Sequence, residues 1–424
     1  MSRRLSLVIT GLSCMSLAVA ACSSSSGDAP SSSGGSSSAP ITIGMSVPLS
    51  GIDAQVGAAY LKGVQAWVSE INSGTGIYAG KQKGLLGRQV KLMYTDDQSQ
   101  PADTRTIYQR LITQDHVDFL LPPFATGPAG VVAPLAQQYG YALIMTSATD
   151  SSIFEQGNPE IVQGAVPITN WGANVPPLIM STPYRSVGMM TVNYPSSIPL
   201  QQALASQFKA DGIALKVNDL FEIGTTDWTS LLTKLKAANP DVIVAQIFGS
   251  DTTSFMKQAA SFGLNPKMWI IIAGAIRNDV YIDGVGQSIA DCTVGETQWS
   301  PDFPYPGVKQ LAAALGPDYL AASGVDGSAS WGFAAGQLLT IAVDHLGTKA
   351  LNHPQTDIIN YLKTATGIET VDGPFKVNPT TGVNESPPFP LMQIQQGKRV
   401  LIWPSNIATG TLQTPCPAFG TPNR

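Results

Sequence analysis

The sequence is poor in charge. Only 12% of its 424 residues are Asp, Glu, Lys or Arg, and the formal net charge is −5. No basic stripe with interleaved aromatic residues occurs along the chain, and its acidic balance would repel a phosphate backbone, so a nucleic-acid partner is excluded. Because 43% of the residues are hydrophobic, the chain still has enough apolar material for real cores, and its length suits about two to four domains.

Histidine and cysteine are also scarce, which removes several kinds of chemistry. The three histidines (His116, His345 and His353) are far apart in the sequence, which argues against a histidine metal site and a Ser-His-Asp triad. There is no C-x-x-C, no G-x-S-x-G nucleophile elbow and no phosphate-binding loop, and Gly284-Val285-Gly286 lacks the third glycine of a dinucleotide fingerprint. The sequence therefore predicts no catalytic residues, no metal and no cofactor.

One pair of adjacent carboxylates, Asp96 and Asp97, has two interpretations. The pair could serve acid/base chemistry, or it could cap the turn after a strand and face solvent. We favour the turn-capping interpretation, because no further residue of a catalytic site accompanies the pair.

The N-terminus has no run long enough to span a membrane. Arg3 and Arg4 precede a short apolar stretch at 5–18, which is too short and too rich in serine for a spanning helix. The Val-Ala-Ala-Cys sequence ending at Cys22 resembles a bacterial lipobox. That resemblance implies a signal peptide at 1–21, cleavage before Cys22 and a diacylglycerol on its thiol, which with a further acyl chain makes a stable membrane anchor.

Two alternatives remain for this segment. One is an ordinary secretory signal in which Cys22 is incidental. The other is lipidation at Cys14, which fits less well because Gly-Leu-Ser precedes it and little apolar sequence would remain before the cleavage point. Removal of the signal peptide takes away Arg3 and Arg4, which moves the net charge from −5 to about −7.

A flexible tether follows the predicted anchor. The stretch from the lipidated Cys22 to residue 40 is almost entirely Ser, Gly, Ala and Pro, a composition that cannot bury apolar area. After processing, with Cys22 lipidated, Cys292 and Cys416 remain as a free pair. An even number in an oxidising compartment predicts one disulfide that pins the C-terminal tail, and two unpaired thiols are the alternative.

The rest of the chain alternates predicted strands and helices. The first set has strands at 41–47, 89–94, 117–121 and 142–146, with helices at 57–71, 102–114 and 130–139. The second set has strands at 187–193, 217–223, 242–248 and 268–272, with helices at 198–210, 227–238 and 253–262. Two such sets predict an α/β fold of two Rossmann-like lobes with parallel sheets. Runs at 391–394 and 400–403 predict a hairpin near the end.

Several short motifs occur in an order and spacing that is typical of one family. They are Pro48-Leu49-Ser50-Gly51 with Gly57, Tyr94-Thr95-Asp96-Asp97, the strand at 142–149 ending in Ser-Ala-Thr, Thr226-Asp227-Trp228-Thr229, Lys257-Gln258-Ala259 with Gly263-Leu264, and Gly373-Pro374-Phe375-Lys376-Val377. Over residues 41–403 the chain resembles the branched-chain amino-acid (Leu/Ile/Val)-type periplasmic binding proteins, which have the type I fold and serve ABC transporters.

The resemblance implies an architecture and a mode of action. Lobe 1 would comprise 41–164 and 296–368, and lobe 2 would comprise 165–295 and 369–424, joined by about three crossover strands. A small-molecule ligand would bridge the lobes and favour the closed state. A membrane ABC permease would then recognise this closed state. The protein would be a monomer on the outer face of the membrane and not an enzyme.

Ligands of open α/β sheets bind beyond the carboxyl ends of the strands, at βα turns and helix N-termini. In the family, the turns that match Ala125-Thr126 and Ser147 to Thr149 bind the ligand's carboxylate and amino groups, and Tyr194 occupies the place of a Tyr that contacts the ligand. The candidate ligand-binding residues are Ser50, Ala125, Thr126, Ser147, Ala148, Thr149, Tyr194, Phe248 and Asp251.

Two departures from the family bear on the ligand. The second-lobe Glu that neutralises an amino acid's ammonium has no counterpart in 272–277, and Phe248 replaces a Tyr. A buried ammonium without a counter-charge is costly, so these departures argue against an α-amino acid. Asp251 or Asp279 could replace the Glu, and Arg277 could instead pair with an anionic ligand. The predicted solute is a small polar or amphipathic molecule, namely an amino acid, an amide or a carboxylate, and the two departures count against the first of these. A ligand sensor and, less favoured, an anchored hydrolase are the alternative functions.

Overall fold

The structure is a computed structural model that describes residues 39–194, 197–273, 279–323 and 327–418. The predicted signal peptide, Cys14, Cys22 and all but the last two residues of the predicted tether lie outside the described residues, and so does Arg277. Within the described ranges, no helix combines the length and apolar character that crossing a bilayer requires.

The first part of the chain forms the sheets of lobe 1. Its elements are β1 Ile41–Val47, α1 Ala54–Ser73, β2 Val90–Asp96, α2 Pro101–Thr113, β3 Phe119–Leu120, α3 Thr126–Tyr139, β4 Leu143–Met145 and β5 Ile161–Gln163. The strands pair in parallel as β2-β1-β3, and β4 pairs in parallel with β5. The predicted βαβ alternation is confirmed here, although α3 begins at Thr126, earlier than its sequence pattern indicates.

The second part forms most of a seven-stranded sheet in lobe 2. Its elements are α4 Val175–Met180, β6 Ser186–Val192, α5 Ser197–Ala210, β7 Ala214–Phe221, α6 Thr229–Ala238, β8 Val242–Gln246, α7 Gly249–Ser261, β9 Met268–Ile272, α8 Asp279–Val285, α9 Gln287–Ala290 and β10 Thr293–Glu296. The strand order is β10-β9-β8-β6-β7, all parallel. Every residue of β8 and β9 is buried, so both faces of these strands are covered.

The last part returns to both lobes. Its elements are α10 Val308–Leu315, α11 Pro317–Ser323, α12 Ser328–Leu346, α13 Thr356–Thr364, β11 Ile368–Thr370, β12 Gly373–Phe375, β13 Leu391–Gln395 and β14 Lys398–Trp403. Short 3-10 helices lie at Gly76–Tyr78, Ser151–Ile153, Ile168–Asn170 and Gly347–Leu351. The predicted hairpin β13-β14 is confirmed, and it adds antiparallel to β10, so the sheet of lobe 2 is mixed at that edge.

Each main sheet has an apolar cluster on both faces. In lobe 1, Ile43, Met45 and Val47 of β1 pack with α1 and α12 on one side, while α2 and α3 cover the other. The core of lobe 1 extends past its predicted end, because Val371 and Phe375 pack in the same cluster as β1 although the sequence analysis assigned them to lobe 2. The exact lobe boundaries stay a prediction.

Cys292 and Cys416 form the predicted disulfide. The sulfurs of Cys292 and Cys416 are 2.07 Å apart, and both residues are buried. The Cys416 amide also donates to the Lys267 carbonyl at 3.0 Å, and the Gln413 amide donates to Gln393 Oε1 at 2.8 Å. The tail is therefore held to the sheet of lobe 2 by one covalent bond and by backbone hydrogen bonds.

A carboxyl group in lobe 1 predicts a pH-dependent stability. Asp372 lies in the turn between β11 and β12, and its Oδ1 has no hydrogen-bond partner among the described residues. Burial raises the pKa of Asp372 to about 7, against a smaller lowering effect of Ser330. Because the folded pKa exceeds the unfolded value, this group favours folding at low pH, and that contribution is lost as pH rises from about 4 to about 7.

We expect Asp372→Asn to be more stable than the parent protein at pH 8, by on the order of 2 kcal/mol, and to have no such advantage at pH 4. The melting temperature followed by circular dichroism between pH 4 and pH 8 measures the difference, and Asp302→Asn in an exposed loop is the control. An equal advantage for Asp372→Asn at both pH values would contradict the raised pKa of Asp372.

Candidate functional site

A cavity of about 940 Å³ lies where the lobes and two crossover segments meet. Lobe 1 contributes the start of α3 and the segment after β4, and lobe 2 contributes Tyr194 after β6 and Pro199 of α5. The two crossover segments contribute the remaining lining residues. The lining residues are Thr126, Thr149 to Ser152, Glu155, Pro167 to Asn170, Tyr194, Pro199 and Val383 to Ser386. Of the predicted site residues, the structure brings Thr126, Thr149 and Tyr194 together around this cavity.

Thr126 and Thr149 are joined by a hydrogen bond at the wall of the cavity. The Thr149 amide donates to Thr126 Oγ1 at 3.1 Å, and the Asp150 amide approaches the same oxygen at 3.4 Å. Thr126 is also the first residue of α3, a 14-residue helix. The partial positive charge of a helix N-terminus favours an anionic group, so this wall can hold a carboxylate.

Ala125, Ser147 and Ala148 shape this wall without lining the cavity. The Ala125 amide donates to Ser147 Oγ at 3.1 Å, and that hydroxyl donates to the Pro123 carbonyl at 3.2 Å. Ala125 has φ 74° and ψ 162°, a strained backbone region that residues other than glycine seldom adopt. Ala148 is buried, and its carbonyl accepts from Gln163 Nε2 at 3.0 Å. Their direct contact with a ligand stays a prediction.

Ser50 lies outside the cavity lining, in the loop after β1. Its hydroxyl donates to Asp96 Oδ2 at 2.7 Å, and the Leu49 amide donates to Asp96 Oδ1 at 2.8 Å. Burial alone would raise the pKa of Asp96, but the hydrogen bonds from Ser50 and neighbouring amides outweigh it and hold the pKa below its ordinary value. The turn-capping interpretation is confirmed for Asp96.

The same interpretation is wrong in one respect for Asp97, because this residue does not face solvent. Asp97 is fully buried and accepts from Ser46 Oγ at 2.6 Å and from the Ser99 amide at 3.2 Å. Burial raises the pKa of this carboxyl, against the lowering effect of the Ser46 hydrogen bond. Its two neighbours bind the carboxylate within the fold, so Asp97 has a structural role.

In lobe 2, Tyr194 is 46% exposed and its ring meets that of Phe248 edge-on, with centroids 5.9 Å apart. Phe248 precedes α7 and lies behind Tyr194, outside the lining of the cavity. Asp251 also lies outside it, because Asp251 Oδ2 accepts from the Gly224 amide at 2.8 Å and stabilises a different loop. The aromatic wall of lobe 2 is therefore Tyr194 supported by Phe248.

The cavity is acidic, which the sequence analysis missed. Asp150, Glu155 and Glu385 line it, and none of its described lining residues is Lys or Arg. Glu385 accepts from Asn378 at 3.0 Å and pairs with Lys376 at 3.3 Å, and these two contacts lower the pKa of Glu385. Asp150 directly follows the predicted turn at Thr149, whereas Glu385 lies in an irregular segment whose pattern predicts no contact with the site.

The proposed replacements for the family's Glu are engaged elsewhere. Asp279 Oδ1 pairs with Arg399 Nη1 at 2.7 Å, and Asp279 does not line the cavity. A buried glutamate does end a strand of lobe 2, at Glu296, whose two carboxylate oxygens accept from the Ala273 amide at 2.9 and 3.0 Å. Within the described ranges, no group of three or more His, Cys, Asp or Glu side chains could hold a metal ion.

Comparison with known proteins identifies the family. Residues 40–399 match the family model described as periplasmic binding protein. The chain belongs to the periplasmic binding protein family. A Leu/Ile/Val-binding protein of Rhizobium johnstonii is 26% identical over 207 residues, which cover 48% of this chain and 54% of that protein. The chain thus spans about half the length of that curated relative.

Solved structures show the same fold in members of this family. A branched-chain amino acid transporter substrate-binding protein of Streptococcus pneumoniae, in complex with isoleucine, has a TM-score of 0.66 and 20% identity, and covers 85% of this chain and 97% of that one. A solute-binding protein of R. palustris in complex with 4-hydroxybenzoate has a TM-score of 0.67 and 20% identity, and the match covers 85% of this chain and 95% of that one. The names of these relatives describe binding proteins and not enzymes, which with the family match confirms both the resemblance and the fold class.

Proposed function

We propose that this chain is a lipid-anchored extracytoplasmic protein that captures a small polar or amphipathic solute between its lobes and delivers it to an ABC permease. The observation that carries the proposal is the 940 Å³ cavity lined by Thr126 and Thr149 of lobe 1 and by Tyr194 of lobe 2. A solute that contacts both walls binds best when they are close together, so it shifts the population toward the closed state.

The charges around the cavity indicate which charged groups the solute has. The N-terminus of α3, with the hydroxyl of Thr126, suits a carboxylate. Asp150, whose amide lies 3.4 Å from Thr126 Oγ1, and Glu155 supply negative charge for an ammonium, although the Glu expected from the family is absent from 272–277. The named relatives bind leucine, isoleucine, valine or 4-hydroxybenzoate, which favours an amino acid or an aromatic carboxylate.

The sequence at the N-terminus supports the membrane anchor and, through it, a permease partner in the same membrane. Cleavage before Cys22 would leave a lipidated cysteine and a Ser/Gly-rich tether that allows the two lobes to reach a permease in the same membrane. The mature protein would act as a monomer on the outer face of the membrane.

A thermal-shift screen tests the proposal. The panel contains leucine, isoleucine, valine, asparagine, benzoate and 4-hydroxybenzoate, and a ligand at a hundred times its Kd adds about 2.7 kcal/mol of stability. Chemical turnover of a bound compound would contradict the proposal, because a binding protein releases its ligand unchanged.

We expect Thr149→Ala to weaken the best ligand about tenfold, a loss of about 1.4 kcal/mol, because Thr149 lines the cavity and the substitution removes its hydroxyl. Thr106→Ala on α2, where the hydroxyl donates only to the Ala102 carbonyl, is the matched control and should leave affinity unchanged. Calorimetric titration of both variants measures the effect. Equal affinities for the two variants would remove Thr149 from the site.

A further inference from the structure

In the described part of lobe 2, three polar side chains are buried without hydrogen-bond partners. Thr191 is 1% exposed, Ser197 is 0% exposed and Gln246 is 2% exposed. Neither hydroxyl oxygen, nor either polar atom of the Gln246 amide, has a partner among the described residues. Buried polar groups in folded proteins are almost always paired, so three such residues in one lobe call for an explanation.

The three side chains lie at one end and on one face of the sheet. Thr191 is directly opposite Gln246 in the parallel pairing of β6 with β8, at the carboxyl ends of both strands. Along each strand, alternate residues share a face, and Met189 and Val244, two residues before Thr191 and Gln246, pack in the same apolar cluster. Thr191 and Gln246 therefore share that face.

Ser197 reaches the same face from α5. It is the first residue of this helix, and the buried residues that follow it at helical spacing are Leu200, Leu204 and Phe208. These three pack in the cluster that contains Met189 and Val244. The Ser197 hydroxyl therefore lies above the strand ends that carry Thr191 and Gln246, and the three residues form one group, which we call the polar trio.

The polar trio lies close behind the aromatic wall of the cavity. Tyr194 and Pro199, on either side of Ser197 in the chain, both line the cavity. Phe248, two residues after Gln246, packs against the same apolar cluster and contacts the Tyr194 ring. The Tyr194 ring is nearly half exposed whereas the trio is buried, so a solute in the cavity would have to displace this ring to reach the trio.

We propose that the polar trio is a subsite for a neutral hydrogen-bonding group of the solute, such as a carboxamide or a hydroxyl. An amide and two hydroxyls can donate and accept, which matches such a group, whereas a charged group would lose its hydration there without gaining a counter-charge from the trio. This inference rests on the proposed function, and it adds that the solute is more polar than leucine or benzoate.

The first test needs no ligand. Gln246→Met and Thr191→Val replace unpaired polar atoms by apolar groups of similar volume, so both variants should raise the melting temperature, by about 1–3 °C. The matched control is Gln393→Met, because Gln393 is equally buried but its amide bonds the Cys292 and Gln413 carbonyls and the Gln413 amide. Gln393→Met should lower the melting temperature. A lower melting temperature for Gln246→Met as well would overturn the subsite.

The second test uses two pairs of probes with nearly equal shapes: leucine against asparagine, and benzoate against 4-hydroxybenzoate. The more polar member should give the larger thermal shift in each pair that binds, and Gln246→Met should reduce its affinity about tenfold while Gln393→Met leaves it unchanged. If leucine and benzoate give the larger shifts, the subsite is wrong and the proposed function stands. If no probe changes the melting temperature, the proposed function fails and the subsite fails with it.

Discussion

Replacing Cys292 and Cys416 together by serine is expected to lower the free energy of unfolding by about 2–5 kcal/mol. The two cysteines are 124 residues apart, so the bond removes much conformational freedom from the unfolded chain. Both residues are buried, and the hydrogen bonds of Gln413 and of the Cys416 amide depend on the tail staying in place. Loss of the bond therefore also exposes the edge of the hairpin that the tail covers.

Urea unfolding followed by tryptophan fluorescence measures this loss. A reducing agent should lower the midpoint of the parent protein by the same amount and leave the double serine variant unchanged, which separates the covalent bond from the effect of the new hydroxyls. Identical midpoints for the oxidised parent and the double variant would show that the bond between Cys292 and Cys416 does not stabilise the protein.

Gly63→Ala is expected to cost about 3 kcal/mol, near the upper end for overpacking a core. Gly63 lies in α1, where a Cβ would stand 1.8 Å from the Ala329 carbonyl oxygen of α12. A backbone carbonyl within a helix cannot rotate away, so the two helices would have to separate. Because α1 and α12 pack along much of their length over β1, the separation would loosen the core of lobe 1.

A second glycine within a helix provides the matched control. In α3, a Cβ on Gly130 would meet only Ile153 Cγ2 at 3.8 Å, an ordinary contact. Gly130→Ala should therefore raise the free energy of unfolding by about 0.5–1 kcal/mol, because alanine favours the helix and restricts the unfolded chain. Urea unfolding measures the change in the free energy of unfolding for both variants. If both substitutions stabilise the protein, or both destabilise it, the packing argument is contradicted.

Local patterns predicted the elements with strong periodicity. The strand at 41–47 and the helix over 57–71 correspond to β1 and α1, and the apolar run at 242–248 corresponds to the buried strand β8. Apolar residues at helical or strand spacing have to face a core, so they identify an element before its neighbours are known. The elements between 293 and 364 were not predicted. In α12 nearly every residue is buried, so no polar face marks its period.

The candidate site was only partly predictable. Thr126 and Thr149 follow the carboxyl ends of predicted strands, and general rules for α/β sheets place such turns beside a ligand. Glu385 lies in an irregular crossover far along the chain, and no local pattern relates it to Thr149, although both line one cavity. The same limit holds for the polar trio, because the orientation of Gln246 depends on the pairing of β8 with β6.

Residue types and short spacings were enough to predict the alternation of strands and helices, the hairpin near the C-terminus and the two cysteines available to pair. Packing between distant segments sets which loops meet at the cavity, the burial of Asp97, and the burial of Thr191, Ser197 and Gln246 without hydrogen-bond partners among the described residues. These features arise when segments distant in sequence pack against one another, and burial and electrostatics are properties of that packing.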